Sequence, residues 1–485
     1  MKRLDKTVHK KTGRPEKVLQ FGTGNFLRAF TDWMIHRMNA ETDFNGSVVV
    51  VQSTKRGAAE TINEQDGLYT LFLQGLLDGN AVRQHEVIES ISRALNVHEE
   101  WDEYMALAES ADLRFVVSNT TEAGIAFDPK DELDSRPQNS FPGKLTALLY
   151  KRFKHFEGDP SKGLIMIPCE LIDQNGEALK KIVHRYADEW QLGPVFKHWV
   201  EEANTFCNSL VDRIVPGFPK DNVNELENEA GFSDRLMTVG EHYHLWAIEG
   251  PEWLEQVFPA HKAGLNVKVV EDLAPYRLSK VYMLNGAHTA LTPVALLAGI
   301  ETVKETVTSE ETKAFVEELM FQEIIPSLDL PKEETVAFAN DVLSRFANPF
   351  IHHYVKSIAL NAMPKFKTRN VPVLVKHVEQ FGEVPERIAL ALAAWIHVYK
   401  ESATDDEQIV AFFRGQWESC DGTEEALRLM TEHVLAYEPL WEQNLNDIPG
   451  LTEAVVGFVQ GIEQQGVLNM IRKAGVEVER YADHP

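Results

Sequence analysis

At 485 residues the chain exceeds what one ordinary hydrophobic core organises, so two domains are expected. Its 74 acidic residues against 48 basic ones give a formal net charge of −26, which repels phosphate backbones and argues against nucleic acid as a partner. No apolar run reaches the roughly 18–20 residues of a membrane helix, so no membrane association is expected.

The opening Met1-Lys-Arg-Leu-Asp-Lys6 has no apolar stretch behind its basic residues and does not read as a secretory signal. Three cysteines, Cys169, Cys207 and Cys420, make neither a disulfide framework nor a metal cluster, and a reducing cytoplasm is the expected location. Residues 17–21 read as a first strand, followed by a glycine turn and a helix over 26–39. Residues 47–52, Ser-Val-Val-Val-Val-Gln, read as a second strand buried on both faces. Residues 114–118 and 164–168 read as later strands of the same sheet, with 235–239 and 267–270 as candidates for more. From about Pro275 helical patterns dominate, with helix stops expected at Pro331, Pro349, Pro364 and Pro372. The predicted fold is therefore α/β. A Rossmann-type, doubly wound parallel sheet occupies residues 1–270, and a mostly α-helical domain occupies 271–485.

Strand, then Gly22-Thr-Gly24-Asn-Phe-Leu-Arg-Ala29, then helix is the setting in which a glycine pair binds a dinucleotide. Gly22 permits the tight turn, and Gly24 lets backbone approach a pyrophosphate at the helix N-terminus. The third glycine of the usual fingerprint is missing, so an ordinary βα turn stays open as the alternative. At the end of the second strand a carboxylate usually takes the ribose 2′-hydroxyl. Here the chain reads Gln52-Ser-Thr-Lys-Arg56. Gln52 suits the ribose hydroxyls of NAD, Lys55 and Arg56 suit a 2′-phosphate, and NADP stays open; a solvated loop is the structural alternative.

Lys280-Val-Tyr-Met-Leu-Asn285-Gly-Ala-His288 follows a proline-containing turn and is predicted to be helical. On a regular α-helix Asn285 lies about 140° and His288 about 80° around from Lys280, with about 12 Å between the ends of the segment. One broad face holds all three. A lysine there can protonate a carbonyl oxygen as hydride arrives, an asparagine can donate to the developing alkoxide, and a histidine can orient hydroxyls. An exposed lysine, a capping asparagine and a core histidine are the structural alternative.

Several blocks in order sharpen this reading. They are Gly22-Thr-Gly24-Asn-Phe26-Leu-Arg-Ala, Ser118-Asn-Thr-Thr-Glu122, Pro168-Cys-Glu-Leu-Ile-Asp-Gln-Asn175, Leu210-Val-Asp-Arg-Ile-Val-Pro216, Lys280-x4-Asn285-x2-His288 and Arg345-Phe-Ala-Asn-Pro349. Together they resemble the mannitol dehydrogenase family of polyol-specific long-chain dehydrogenases, over most of the chain. Within it the likeness is greatest to a branch acting on sugar acids.

The resemblance implies an NAD-dependent oxidoreductase of carbohydrate metabolism that uses no metal and takes a small sugar-acid substrate. It implies Lys280 as general acid/base, Asn285 as oxyanion donor and His288 as substrate ligand. Phe21, Gly22, Gly24, Asn25, Phe26, Gln52, Ser118 and Thr120 are implied for the cofactor, and Glu122, Arg277 and Lys365 for the substrate. It says nothing of oligomeric state.

Three departures bear on specificity. The asparagine that serves mannitol-type members as a second oxyanion donor falls at Leu171, which leaves either Asn175 to compensate or Asn285 to act with Lys280 alone. The family's polyol-binding arginine falls at Ser357. A family glutamate three residues before the lysine is Arg277 here, which suits a substrate carboxylate, with a structural ion pair to Glu122 or Glu170 as the alternative. A nucleotide-binding protein without turnover is the alternative of another class, and it predicts loss of the Lys–Asn–His set, which is intact.

Overall fold

The β-branched runs form strands, and their pairing order defines the first part of the molecule. The computed structural model describes residues 1–77, 79–121, 123–401 and 404–478. The chain divides into two compact units, Met1–Gln74 with Val82–Leu273, and Gly75–Ala81 with the chain from Ala274 onward. The strands in chain order are β1 (Glu16–Phe21), β2 (Ser47–Gln52), β3 (Tyr69–Leu77), β4 (Asn80–Ile88), β5 (Ile91–Asn96) and β6 (Phe115–Ser118). They continue as β7 (Ile165–Pro168), β8 (Thr205–Phe206), β9 (Asn208–Asp212), β10 (Thr238–Glu241), β11 (Leu245–Glu249) and β12 (Val267–Val270).

The main sheet has the order β5-β2-β1-β6-β7-β8 and is parallel throughout. Counted by appearance within that sheet this is the 3-2-1-4-5-6 order of the doubly wound dinucleotide fold. Each strand feeds two cores, because successive side chains point to opposite faces. Val18, Val48, Val50, Val117 and Ile167 join one buried cluster, with Phe30, Met34 and Trp246. Leu19, Val49, Val51, Val116 and Met166 join the other, with Leu145, Leu148, Val183 and Phe196 from covering helices. Burying each such side chain contributes about 1.5–3 kcal/mol.

The strands expected at 235–239 and 267–270 exist but lie elsewhere. β10 pairs with β3 in a sheet ordered β10-β3-β4, and β12 pairs with β11 in a sheet ordered β12-β11-β9. Apolar content marks a strand without saying which edge it joins, and the main sheet is completed instead by β5 and the two-residue β8.

The β12-β11-β9 sheet is preceded by a histidine with a fixed tautomer. The Nε2 of His244 accepts the Asn266 N–H at 3.0 Å, and its Nδ1 faces the His242 carbonyl at 3.2 Å. Its ring also stands edge-on to Trp33 at 4.8 Å. Burial, then the Arg213 charge, pushes its pKa down to about 4. A histidine with a folded pKa below its unfolded value destabilises the fold on acidification, because the unfolded chain binds the proton first. Stability is expected to fall by about 3 kcal/mol from this residue between pH 6.5 and 4. Urea titrations of wild type and His244→Gln across that window check it, and identical pH slopes would refute it.

The second unit is helical. At its centre runs the helix Glu386–Glu401, whose Arg387 to Tyr399 stretch is buried throughout. Its Trp395 Nε1 donates to the Thr289 carbonyl at 2.9 Å, fixing the helix Ala287–Leu297 against it. The prolines behave differently from expectation. Pro331 caps the start of Lys332–Phe346, and Pro364 and Pro372 lie in the first turns of Ala362–Arg369 and Val371–Phe381. Proline lacks the N–H that a first turn leaves unpaired anyway, so three of the four open helices rather than end them. No described helix is long and apolar enough to cross a membrane.

Candidate active site

In the first unit the chain leaves β1 through Gly22 and enters one continuous helical run, Asn25–Leu27, a π-helical turn Arg28–Asp32, and Trp33–Glu41. The wide turn carries two charged residues, Arg28 and Asp32, into the interior. Arg28 donates to the Thr23 carbonyl at 2.5 Å and to the Asn25 Oδ1 at 2.7 Å, bracing the glycine turn from behind. Burial raises Asp32 to about 7 while Gln20 Nε2 donates to its Oδ2 at 3.2 Å.

A cleft of about 580 Å³ opens at the carboxyl ends of β1, β2 and β6, where the strand order reverses. Gly22, Gly24, Gln52 and Thr120 line it, as expected for a nucleotide site. Gly22 has φ +131°, a conformation that residues with a side chain rarely adopt. A Cβ on Gly24 would meet no protein atom within 4 Å, so the bare backbone there borders open space in the cleft. That space fits a pyrophosphate approaching the helix start.

The other four residues predicted for the cofactor do not line the cleft. Phe21 lies buried behind it, 4.6 Å from the ring of Phe141. Ser118 is buried and donates to the Glu170 Oε2 at 2.9 Å. Asn25 is held by Arg28, and Phe26 stacks on Phe30 at 5.0 Å.

Gln52 acts chiefly on its own loop. Its Oε1 accepts from the Ala59 N–H and its Nε2 donates to the Thr54 carbonyl, both at 3.1 Å.

Several lining residues escaped the sequence reading. Asn139, Ser140 and Phe141 border the cleft at the start of the helix Phe141–His155, where Ser140 accepts the Gly143 N–H at 2.9 Å. A Ser-x-Pro start was visible, but nothing local says where that helix points. Glu170 was also missed. Its Oε1 accepts from the Thr120 N–H at 3.0 Å and the Thr120 hydroxyl at 2.9 Å, which fixes Thr120 at the cleft edge. Asn175 is not available as a second oxyanion donor. It is buried, donates to the carbonyls of Pro168, Glu170 and Ser209 at 3.0 Å each, and accepts the Ser209 N–H at 2.8 Å. Leu171 is exposed.

In the second unit the Lys–Asn–His segment is helical but not regular. The α-helix Ala274–Ser279 passes into a π-helical turn, Lys280–Gly286, before Ala287–Leu297 resumes as α. With i→i+5 hydrogen bonding each residue turns through less than 100°, so Asn285 comes round toward Lys280 instead of lying about 140° away. Two side chains stabilise the turn. Asn370 Nδ2 donates to the Gly286 carbonyl at 3.1 Å, and the Thr289 hydroxyl donates to the Asn285 carbonyl at 2.9 Å.

His288 stacks on Phe346 at 4.2 Å and meets His353 edge-on at 4.9 Å. Its Nε2 is buried without a hydrogen bond. Burial, then His353, Arg345 and Arg369, holds its pKa well below the usual histidine value, so the ring is neutral.

Of the residues predicted for the substrate, Arg277 stands on the helix leading to Lys280. The Lys365 amine donates to the carbonyls of Ile358, at 3.2 Å, and Leu360. Glu122 lies outside the described residues.

A dinucleotide-type sheet with a glycine-turn cleft, and a helical unit carrying a Lys–Asn–His set, define a Rossmann-type dehydrogenase. The chain matches the mannitol dehydrogenase Rossmann domain over residues 16–259 and the mannitol dehydrogenase C-terminal domain over residues 272–463. It belongs to the mannitol dehydrogenase family, whose members are dehydrogenases acting on CH–OH groups.

Among its relatives, altronate oxidoreductase of Bacillus subtilis (strain 168) is 51% identical over 470 residues, covering 96% of this chain and 97% of that protein. Altronate oxidoreductase of Phocaeicola vulgatus is 48% identical, covering 97% and 99%. The fold is also that of D-sorbitol dehydrogenase in its substrate-free form, with a TM-score of 0.77 at 21% identity over 97% of this chain and 100% of that one. Mannitol 2-dehydrogenase of Pseudomonas fluorescens, solved as a ternary complex with NAD and D-mannitol, gives a TM-score of 0.64 at 22% identity over 98% and 99%.

Proposed function

We propose that the chain is a reversible NADH-dependent hexuronate reductase of the cytoplasm, converting the ketone of tagaturonate to the secondary alcohol of altronate. The observation that carries the reading is 51% identity, along nearly the whole chain, to an altronate oxidoreductase. An intact Lys–Asn–His set on a turn that draws lysine and asparagine together supports it. The cleft beside Gly22 and Gly24, with its bare backbone at Gly24, suits the nucleotide.

Bound nicotinamide supplies the hydride in reduction and takes it back in oxidation. Lys280 gives its ammonium proton to the ketone oxygen as negative charge develops there, and in the reverse direction the amine removes the hydroxyl proton. The Asn285 amide donates to the same oxygen, an interaction that strengthens as the oxygen becomes an alkoxide. His288, neutral and with a free ring nitrogen, hydrogen-bonds a substrate oxygen. Arg277 places positive charge three residues before the lysine, where the family has a glutamate. Lys365 is a further substrate contact once its amine leaves the Ile358 and Leu360 carbonyls.

Oxidation of NADH and NADPH, followed by absorbance against tagaturonate, fructuronate, fructose and tagatose, tests the reading. Tagaturonate with NADH is expected to give the highest kcat/KM. Preference for fructuronate would make the chain a fructuronate reductase, and preference for a neutral ketose would make it a polyol dehydrogenase of the same family. Nucleotide binding with no turnover on any ketone would make it a non-catalytic binding protein.

A further inference from the structure

Beside the Lys–Asn–His set lies a cation that no acid among the described residues neutralises. Arg369 ends the helix Ala362–Arg369, is half-buried, and donates to the Thr289 hydroxyl at 3.1 Å. Thr289 follows His288 directly and donates its own proton to the Asn285 carbonyl, so Arg369 is joined through one hydroxyl to the turn that presents the site. The two segments are also in contact at the next residue, where Asn370 holds the Gly286 carbonyl.

A guanidinium carries five N–H donors, and one hydroxyl does not satisfy them. Among the described residues no carboxylate pairs with Arg369. This occurs in a chain with 74 acidic residues, where neutralising partners are plentiful. The acid whose charge acts on its helix neighbour Lys365 is Asp405, which is occupied by the Tyr399 hydroxyl and, at 3.1 Å, the Met363 N–H. Half-burying a cation without a counter-ion costs free energy unless an anion arrives from outside. Next to it the His288 Nε2 is buried and unbonded, whereas buried polar atoms are nearly always paired. A buried, unbonded ring nitrogen and a half-buried guanidinium with no described carboxylate partner therefore flank one small region of the second unit.

We propose that Arg369, with His288, seats the carboxylate of the substrate and sets the preference for a keto acid over the corresponding neutral ketose. This deepens the proposed function and rests on it. A carboxylate accepts two parallel N–H bonds from one guanidinium, a geometry that a hydroxymethyl group cannot offer. The sequence nominates Arg277 for this role, because it replaces a family acid. The geometry points to Arg369, which adjoins the unbonded histidine.

The test is the ratio of kcat/KM for tagaturonate to kcat/KM for tagatose in wild type, Arg369→Gln, Arg369→Lys and Arg277→Gln. Arg369→Gln is expected to lower the ratio about 10- to 100-fold, the effect of a charged hydrogen bond, mainly through KM for the keto acid. Arg369→Lys keeps the charge but not the fork and falls between. An unchanged ratio in Arg369→Gln, or a larger fall in Arg277→Gln, overturns the proposal and leaves the proposed function standing.

Thermal denaturation supplies a readout independent of turnover. Altronate should raise the melting temperature of wild type more than altritol does, and Arg369→Gln should lose that difference. Equal stabilisation by the two in wild type overturns the carboxylate seat. A wild type without keto-acid turnover, yet with stabilisation by altronate that depends on Arg369, overturns the proposed function alone.

Discussion

Lys280→Ala is expected to lower kcat for ketone reduction by about 10²–10⁴-fold, the usual contribution of a positioned general acid. NADH affinity should stay within twofold of wild type, because the glycine-turn cleft is built entirely from the first unit. The reason for expecting a large effect is the shape of the turn. A regular α-helix would leave Asn285 about 140° around from Lys280, at the far edge of the broad face they share, where one substrate oxygen meets both less easily. The π-helical turn at Lys280–Gly286 brings them round together, and such turns persist where something outside the helix satisfies the displaced backbone groups. Here Asn370 does so, and Thr289, one turn further along the same helical run, takes the Asn285 carbonyl.

Asn285→Ala should then lower kcat by about 10²–10³-fold with the proton donor still in place, as loss of one oxyanion donor does elsewhere. The double variant should cost much less than the product of the two, since both act on one oxygen. Stopped-flow or steady-state absorbance of NADH gives the rates, and fluorescence titration gives the affinity. Near-normal turnover in Lys280→Ala would remove the lysine from the chemistry and the mechanism with it.

The sequence made the main sheet readable because its central strands are buried on both faces. The run Ser47–Gln52 can hardly be anything else, and the glycines after β1 mark the turn. Its edges were not readable. β8 is two residues long, and β10 and β12 look like main-sheet strands while pairing elsewhere, since pairing is a long-range choice that local composition does not record. The Lys–Asn–His trio proposed for the chemistry was named from spacing and resemblance, but the π-helical turn was invisible because it differs from an α-helix by its hydrogen-bond register alone. Arg369 shows the same limit from the other side. It lies 84 residues beyond Asn285 in sequence, in no recognised block, and only the folded chain sets its guanidinium on Thr289. Glu170 stands inside one of the family blocks, yet its hold on Ser118 and Thr120 depends on two strand ends lying side by side and was not readable.

The two glycines of the turn should fail in opposite ways. Gly22 has φ +131°, and a Cβ there would stand 3.1 Å from the Asn119 carbonyl oxygen and 3.2 Å from Leu27 Cδ1. Both the backbone conformation and the neighbours resist a side chain. Gly22→Ala is expected to cost about 1–3 kcal/mol of stability, lowering the melting temperature by about 2–4 °C for each kcal/mol in a domain of this size.

Gly24 is different. Its φ of −73° and ψ of 166° suit any residue, and a Cβ would meet nothing within 4 Å. Gly24→Val should therefore fold with an unchanged melting temperature while its methyls occupy the space where a pyrophosphate meets bare backbone. Affinity for NADH should fall roughly 10- to 100-fold, the effect of a 1–3 kcal/mol overlap in a packed site. Thermal melts and fluorescence titrations of the two variants, measured side by side, separate the causes. If Gly24→Val bound NADH normally, the cleft would not be the nucleotide site. If instead it lost stability as Gly22→Ala does, the second glycine would be serving the fold alone, and the open space beside it would have no ligand to explain it.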